Sequence, residues 1–288
     1  MLKLTEKECV EKIAAGEHFH AEVEESFQVK IEKYTFYVCT AIHDGHNLRE
    51  QLRDNCLLND SERLYEEDPY TGALIEDMPI TLTGLDSRYE YDLNRGEETC
   101  VYETAWGKDV WKRPLTGEQK TESLEKHRRF YRVAVVLAKK LQAIHGSCLF
   151  YDMHSYNYIR REEPDTPAFN IGTEQLDKTR WGDVINHWNE SLNKIEMPDM
   201  AMRSALNEVF YGRGNQATVM KPFAENVLVL PTELKKTFMD ELSGELHQSF
   251  FNELKKRFCK QLLENSLYFV EQERLDFEEN RAKYQAML

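Results

Sequence analysis

Two histidines in the sequence stand where they could bind a metal ion. His43 follows the mostly apolar run FYVCTAI, and His154 lies in the segment YDMHSYN, directly after the apolar run CLF. A catalytic zinc site takes about three His, Asp or Glu ligands and leaves one position open for water. Asp152, two residues before His154, could orient its imidazole by a hydrogen bond from behind. Taken alone, either histidine could equally be a structural residue.

Further acidic residues could complete such a site. Glu67 and Asp68 in the run EED, together with His46, are candidate partners of the two histidines. Glu233 comes just after the predicted strand NVLVLP and near a predicted helix start. A carboxylate there could accept a proton from water, or it could only favour the helix N-terminus electrostatically. The spacing leaves both interpretations open.

The segment SRYEYDLNRG contains groups that could recognise an anion. Arg88, Asn94 and Arg95 lie within it. A guanidinium group can bind a carboxylate through two parallel hydrogen bonds, and an asparagine amide can donate alongside it. The alternative is a solvated loop in which Asp92 pairs with an arginine.

The elements that would position these residues alternate between strands and helices. Strands are predicted within 27–42, 79–84, 148–152, 167–172 and 226–231, and short helices around a loop are predicted within 60–78. Longer helices are predicted at 116–144, 173–194, 199–211 and through most of 233–288. The helix from Thr116 is the clearest, because Thr116 and Gln119 form a capping box and Gly146 supplies a stop signal.

This alternation predicts an α/β fold. We expect a single domain over residues 1–288 with a mixed, mostly parallel central sheet flanked by helices, and a helical C-terminal extension at 245–288 packed on it. Ligands of such sheets bind beyond the carboxyl ends of the strands. His43, His154 and Glu233 all fall at or just after predicted strand ends, so the pattern predicts one shared site.

Composition narrows the class of partner. The net charge of −14 argues against nucleic acid or an anionic membrane as the main partner. No signal-peptide core and no apolar span of about 20 residues is present. The six cysteines show no CxxC spacing, which is typical of reduced thiols in a cytoplasmic protein.

Eight stretches in a fixed order carry a resemblance to a known family. They are AIHDG, LYEEDPYTG, SRYEYDLNRG, AWGKDVW, YDMHSYN, FNIGT, NEVFYGRG and ELKKTFMDE, between about residues 30 and 245. Together they resemble the N-formylglutamate amidohydrolases, zinc-dependent hydrolases related in fold to the zinc carboxypeptidases. The resemblance covers most of the chain.

The resemblance implies a Zn²⁺ cofactor and a role for each matching residue. The implied metal ligands are His43, Asp68 and His154, with Glu67 and His46 as alternates. The implied catalytic carboxylate is Glu233, supported by Asp152 behind His154. The implied substrate contacts are Arg88, Asn94, Arg95, Asn207 and Arg213, together with the glycines of FYGRG. Gly212-Arg213 departs from the glycine pair of many members, and its extra positive charge could alter the pocket.

The expected activity is hydrolysis of an amide bond in a small carboxylate-bearing substrate, N-formyl-L-glutamate or a related N-acyl or peptidyl amino acid. A carboxypeptidase-type peptidase is the alternative within the same chemistry. A non-catalytic binding or scaffold protein on this fold is the alternative outside it. The charged C-terminal helices could also join two copies of the chain into a homo-oligomer.

Overall fold

The computed structural model of the protein describes residues 1–161, 165–198 and 200–273. Its strands are β1 (Leu2–Leu4), β2 (Phe19–Val23), β3 (Phe27–Ile31), β4 (Tyr37–Ala41), β5 (Ile80–Gly84), β6 (Thr104–Ala105), β7 (Lys108–Asp109), β8 (Cys148–Tyr156), β9 (Phe169–Ile171), β10 (Ser204–Leu206) and β11 (Val227–Lys235). Its α-helices are α1 (Glu6–Ala15), α2 (Glu50–Arg53), α3 (Asp60–Glu66), α4 (Thr71–Ile75), α5 (Gly117–His145), α6 (Lys178–Asn193), α7 (Asn215–Met220) and α8 (Gln248–Gln272).

The main sheet confirms the predicted α/β class. In the described part of the chain it has nine strands in the order β1-β2-β3-β5-β4-β8-β11-β9-β10. Its centre, β5-β4-β8-β11, is parallel throughout, and antiparallel pairs occur only at β2/β3, β3/β5 and β9/β11. The carboxyl ends of the four central strands therefore meet at one edge of the sheet, where ligands of such folds bind.

Helices cover both faces of this sheet. Leu149, Tyr151 and Met153 of β8 pack in an apolar core with α4, α6 and α8. Cys148 and Phe150 of the same strand belong to a second core with α1, α5 and α7. Because successive side chains of a strand point to opposite faces, β8 is buried on both sides. This explains its almost continuous apolar sequence before Asp152.

The helix α5 follows the local signals that predicted it. The Thr116 side chain accepts a hydrogen bond from the Gln119 backbone N–H, and the Gln119 side chain accepts one from the Thr116 N–H. Gly146 stands at the C-cap with a φ of 84°, a conformation that favours glycine.

Three predicted boundaries are wrong. The helix predicted at 199–211 is replaced by β10 and a loop, and Asn207 just after β10 has a φ of 55°. The strand predicted to end at Pro231 continues to Lys235, although a proline usually ends a central strand because it has no N–H to donate. The expected helix from 233 onward begins only at Gln248, because pairing with β8 and β9 extends β11.

The C-terminal part of the described chain packs on the sheet. Phe258, Leu262 and Phe269 of α8 are fully buried in the core that α6 shares. The segment RLDFEENRAKYQAM, in which the predicted oligomer contacts fall, lies outside the described residues. Among the helices that are described, none combines the length and apolar character needed to cross a membrane.

Candidate metal centre and active site

Three side chains converge at the carboxyl edge of the central strands. His43 lies two residues after β4, His154 lies near the end of β8, and Asp68 lies between α3 and α4. One nitrogen of each histidine and one oxygen of Asp68 are within 4.8 Å of one another, and all three residues are buried. Asp68 Oδ2 is 3.3 Å from Nδ1 of His43 and 3.3 Å from Nδ1 of His154. These are the three residues that the family resemblance implied as the first choice of metal ligands.

A buried aspartate holds the outer nitrogen of each histidine. Asp92 Oδ1 is 2.7 Å from His43 Nε2, and Asp152 Oδ2 is 3.2 Å from His154 Nε2. A histidine that donates its outer N–H to a carboxylate presents the lone pair of its other nitrogen, and this arrangement is common for metal-binding histidines. Both Nδ1 atoms are thereby directed toward Asp68.

Asp152 has the supporting position that the sequence predicted, whereas Asp92 was considered only as an ion-pair partner. The two histidines are 111 residues apart in sequence yet both have an aspartate behind them. In YDMHSYN that aspartate is two residues from its histidine and could be found by inspection. Asp92 is 49 residues from His43, and only the fold brings them together.

The electrostatics of this cluster fit a divalent cation. Burial would raise the pKa of Asp68, but hydrogen bonds from His154 and His43 lower it below its ordinary value. Burial would lower the pKa of His154, yet the Asp152 carboxylate raises it well above its ordinary value. The cluster thus concentrates buried negative charge around two imidazoles.

The carboxylates of Asp68, Asp92, Asp152 and Glu233 lie in or beside this cluster. A bound dication would be held by deprotonated groups of this kind. Two imidazole nitrogens and one carboxylate oxygen are also a ligand set that suits zinc. The residues present therefore fit the implied metal.

Glu233 faces the same site from the neighbouring strand. It is in register with His154 across the parallel pair β8/β11, so both side chains point to the same face of the sheet. Burial raises its pKa to about 7, with the charge of His154 opposing the rise. The structure corrects its predicted context, because Glu233 lies inside β11 and the next helix begins only at Gln248.

The alternate ligands Glu67 and His46 are engaged with each other. Glu67 Oε2 contacts His46 Nδ1, and Glu67 Oε1 accepts a hydrogen bond from the Ser87 hydroxyl. Neither residue belongs to the metal-binding group found among the described residues. Their pairing fixes the loop that follows α3 and so supports Asp68 indirectly.

Buried cations hold the three backbone carbonyls that precede Asp68. Lys236 Nζ donates to the Tyr65 carbonyl at 2.8 Å and to the Glu67 carbonyl at 2.6 Å. Arg88 Nη1 donates to the Glu66 carbonyl at 2.8 Å. Positive side chains are favoured at the carboxyl end of a helix, where carbonyls lack partners. No pattern in the sequence indicated a role for Lys236, which is 1% exposed.

Arg88 also connects the loop that carries Asp68 with the aspartate behind His43. Its Nη2 donates to Asp92 Oδ2 at 2.8 Å, and Asp92 in turn contacts His43. Two of its terminal nitrogens therefore bind the protein itself. Arg88 lines the cavity as predicted, but much of its hydrogen-bonding capacity maintains the site.

A cavity of about 320 Å³ opens above these groups. The cavity is lined by several of the residues that sequence analysis predicted for the site. These are His43, Asp68, Arg88, Asn94, Arg95, His154, Arg213 and Glu233. Asn94 has a buried Oδ1 without a hydrogen-bond partner in the described residues. Arg213 is largely exposed and pairs with Glu174 at 2.7 Å.

Asn207 does not line this cavity, which corrects the expectation that it contacts substrate. Its Oδ1 accepts a hydrogen bond from the Thr173 backbone N–H, and its Nδ2 donates to the Thr173 hydroxyl. Asn207 therefore ties β10 to the segment after β9. Gly172 and Gly212 meet nearby, where a Cβ on Gly172 would be 2.2 Å from the Gly212 nitrogen.

Fold and site together define an α/β protein with a buried His–Asp–His group that could hold a metal ion at the carboxyl edge of a mixed sheet. Residues 36–239 match the sequence profile of the family described as N-formylglutamate amidohydrolase. The chain therefore belongs to the N-formylglutamate amidohydrolase family, whose members act on C–N bonds.

Solved structures agree with this assignment of the fold. The crystal structure of N-formylglutamate amidohydrolase from Ralstonia eutropha JMP134 has a TM-score of 0.70 at 16% identity, and the match covers 84% of this chain and 97% of that one. A gene product of Agrobacterium tumefaciens has a TM-score of 0.60 at 14% identity, with 83% and 94% covered. Among curated proteins, no sequence matches significantly.

Proposed function

We propose that the protein is a Zn²⁺-dependent amidohydrolase that cleaves an N-acyl amide bond in a carboxylate-bearing substrate such as N-formyl-L-glutamate. The observation that supports this most strongly is the convergence of His43, Asp68 and His154 beside Glu233 at one cavity. Family membership supplies the class of reaction. The identity of the metal and of the acyl group are part of the proposal.

In this mechanism the two histidines, His43 and His154, would each hold the metal through Nδ1, and Asp68 would hold it through a carboxylate oxygen. A bound Zn²⁺ would polarise the scissile carbonyl as a Lewis acid and lower the pKa of water from ~16 toward ~7. Asp92 and Asp152 keep the two imidazoles in the tautomer that leaves Nδ1 free to bind. Their burial keeps water from competing for those hydrogen bonds.

Glu233 is the proposed general base. Its carboxylate accepts a proton from the attacking water and returns it to the nitrogen of the leaving amine. A pKa raised to about 7 by burial suits a group that must both take and give a proton near neutral pH. No described residue hydrogen-bonds this carboxylate, so it remains available to water and substrate.

Asn94 and Arg95 are the proposed ligands of the substrate carboxylate. Both line the cavity, and the amide nitrogen of Asn94 is the group that can donate a hydrogen bond to a carboxylate. Arg95 is exposed at the same opening. A guanidinium beside an amide orients a carboxylate and so places the scissile bond.

Replacing Glu233 with glutamine tests the proposal. We expect Glu233→Gln to keep its zinc but to lose about 10²–10⁴-fold in kcat on N-formyl-L-glutamate. Glu208→Gln is a control at an exposed glutamate that pairs with Arg203, and this variant should remain fully active. If the Glu233 variant also keeps full activity, the base is assigned wrongly. Cleavage of dipeptides ending in glutamate in preference to N-acyl substrates would instead indicate the peptidase alternative.

A further inference from the structure

The hairpin β6–β7 carries a tryptophan in a backbone conformation that tryptophan rarely adopts. Ala105 pairs with Lys108, so Trp106 and Gly107 form a two-residue turn. Their φ angles are 49° and 77°. Turns with both central residues at positive φ strongly prefer Asn-Gly. A bulky residue at the first position costs free energy that a small polar residue would not.

The same tryptophan is exposed at the mouth of the active-site cavity. Trp106 is 42% exposed and is one of the cavity-lining residues. Its ring centroid is 4.9 Å from the Arg88 guanidinium carbon, and its other ring neighbours are Tyr89 and Tyr102 at 5.8 and 5.7 Å. These contacts hold the indole from behind. The exposed part of the indole lines the same cavity as His43, Asp68 and His154.

Three further residues with apolar or aromatic side chains line this cavity, whose lining residues are mostly polar. They are Val209, Phe210 and Tyr211, and Tyr211 is 52% exposed. A formyl group has a single carbon, whereas a larger acyl group offers more surface to such side chains. A cavity of about 320 Å³ is of the size that encloses larger ligands.

We propose that Trp106 is a specificity-determining residue, and that the substrate is an N-acylated acidic amino acid whose acyl group is larger than formyl and has a flat apolar face. This rests on the proposed amidohydrolase function and names the substrate class of the same site. The acyl group packs on the indole of Trp106 while the carboxylate of the amino acid faces Asn94 and Arg95. The strained turn persists because it presents the indole to the opening.

Binding measurements in the Glu233→Gln background test this without turnover. N-benzoyl-L-glutamate and N-formyl-L-glutamate are titrated by calorimetry into zinc-loaded Glu233→Gln and into the same protein with Trp106→Asn. We expect the second change to weaken N-benzoyl-L-glutamate about tenfold, the size of effect that an apolar pocket contact provides. N-formyl-L-glutamate should change less than twofold. Trp106→Phe should keep most of the affinity for the benzoyl ligand.

Thermal unfolding separates this role from a structural one. Asparagine relieves the strained φ, so the melting temperature of Trp106→Asn should stay within about 2–4 °C of the parent or rise. A fall well beyond that range, with equal loss of both ligands, would show a structural residue and overturn the proposal. Failure of the parent to bind N-benzoyl-L-glutamate more tightly than N-formyl-L-glutamate would overturn it too. Loss of the hydrolytic function would appear separately, as absence of turnover by the wild-type protein on either compound.

Discussion

Asp92→Asn perturbs the hydrogen bond behind His43 while leaving all three metal-binding side chains in place. Asp92 is fully buried, and its two oxygens accept from His43 Nε2, the Asn94 N–H, Arg88 Nη2 and the Tyr102 hydroxyl. An asparagine replaces one of these oxygens with an NH₂ donor. Either His43 and the Asn94 N–H, or Arg88 and the Tyr102 hydroxyl, then face a donor instead of an acceptor.

The magnitude follows from these contacts. Loss of an outer partner of a metal-binding histidine costs about 10–100-fold in metal affinity. That range corresponds to about 1.4–2.7 kcal/mol of binding free energy. We expect the upper end, because four donors converge on Asp92 and because its charge balances a guanidinium that is 11% exposed. Zinc affinity is measured by competition with a chromophoric chelator.

Asp86→Asn is the matched control for this change. Asp86 is also a buried carboxylate, and it accepts from the Tyr91 hydroxyl at 2.7 Å and from Lys126 Nζ at 3.1 Å. It belongs to a cluster that does not contact His43. We expect Asp92→Asn to lose zinc affinity and Asp86→Asn to keep it. Equal zinc affinity in the two variants would refute the reasoning that Asp92 maintains the metal-binding tautomer of His43.

Three further predictions follow from the same contacts. Removing the metal with a chelator should lower the melting temperature. Adding zinc at about 100 times its Kd should restore about 2.7 kcal/mol of stability. An unchanged melting temperature would contradict a metal site that exists only in the folded protein. Burial raises the pKa of Asp86 to about 6, above the ordinary 3.8, so the folded state holds an extra proton between these values. The stability of the wild type relative to Asp86→Asn should therefore fall by up to about 3 kcal/mol as pH rises from 4 to 6 and stay flat above, as followed by denaturant titration. Gly172→Ala should destabilise the protein and reduce activity, because the added Cβ would overlap Gly212. Gly182→Ala has open space around it and should gain about 0.5–1 kcal/mol in the free energy of unfolding. Denaturant unfolding that ranks the two variants in the reverse order would contradict this packing.

Local signals in the sequence predicted much of the fold. The capping box at Thr116 and the glycine at 146 set the ends of α5 because these signals act within four residues. The apolar runs that become β4 and β8 predicted a parallel core, and parallel strands bring their ends to one edge. That rule puts the ends of β4 and β8 at one edge, and the family resemblance added the roles of His43 and His154 there.

Long-range contacts account for the features of the fold and site that sequence analysis did not predict. Pairing on both sides carries β11 past Pro231, so Glu233 lies on a strand face rather than at a helix start. Asp92 and Lys236 support the site through hydrogen bonds to residues 49 and about 170 positions away. No pattern within a window of the sequence records such contacts.

The metal-binding claim is tested most directly by anomalous diffraction from a crystal of the zinc-loaded protein, measured at the zinc absorption edge. We predict one strong peak between His43 Nδ1, His154 Nδ1 and an oxygen of Asp68, at about 2.0–2.2 Å from each. Glu233 should face the open coordination position. A peak bound instead by Glu67 and His46, or the absence of any peak at His43 and His154, would contradict the account.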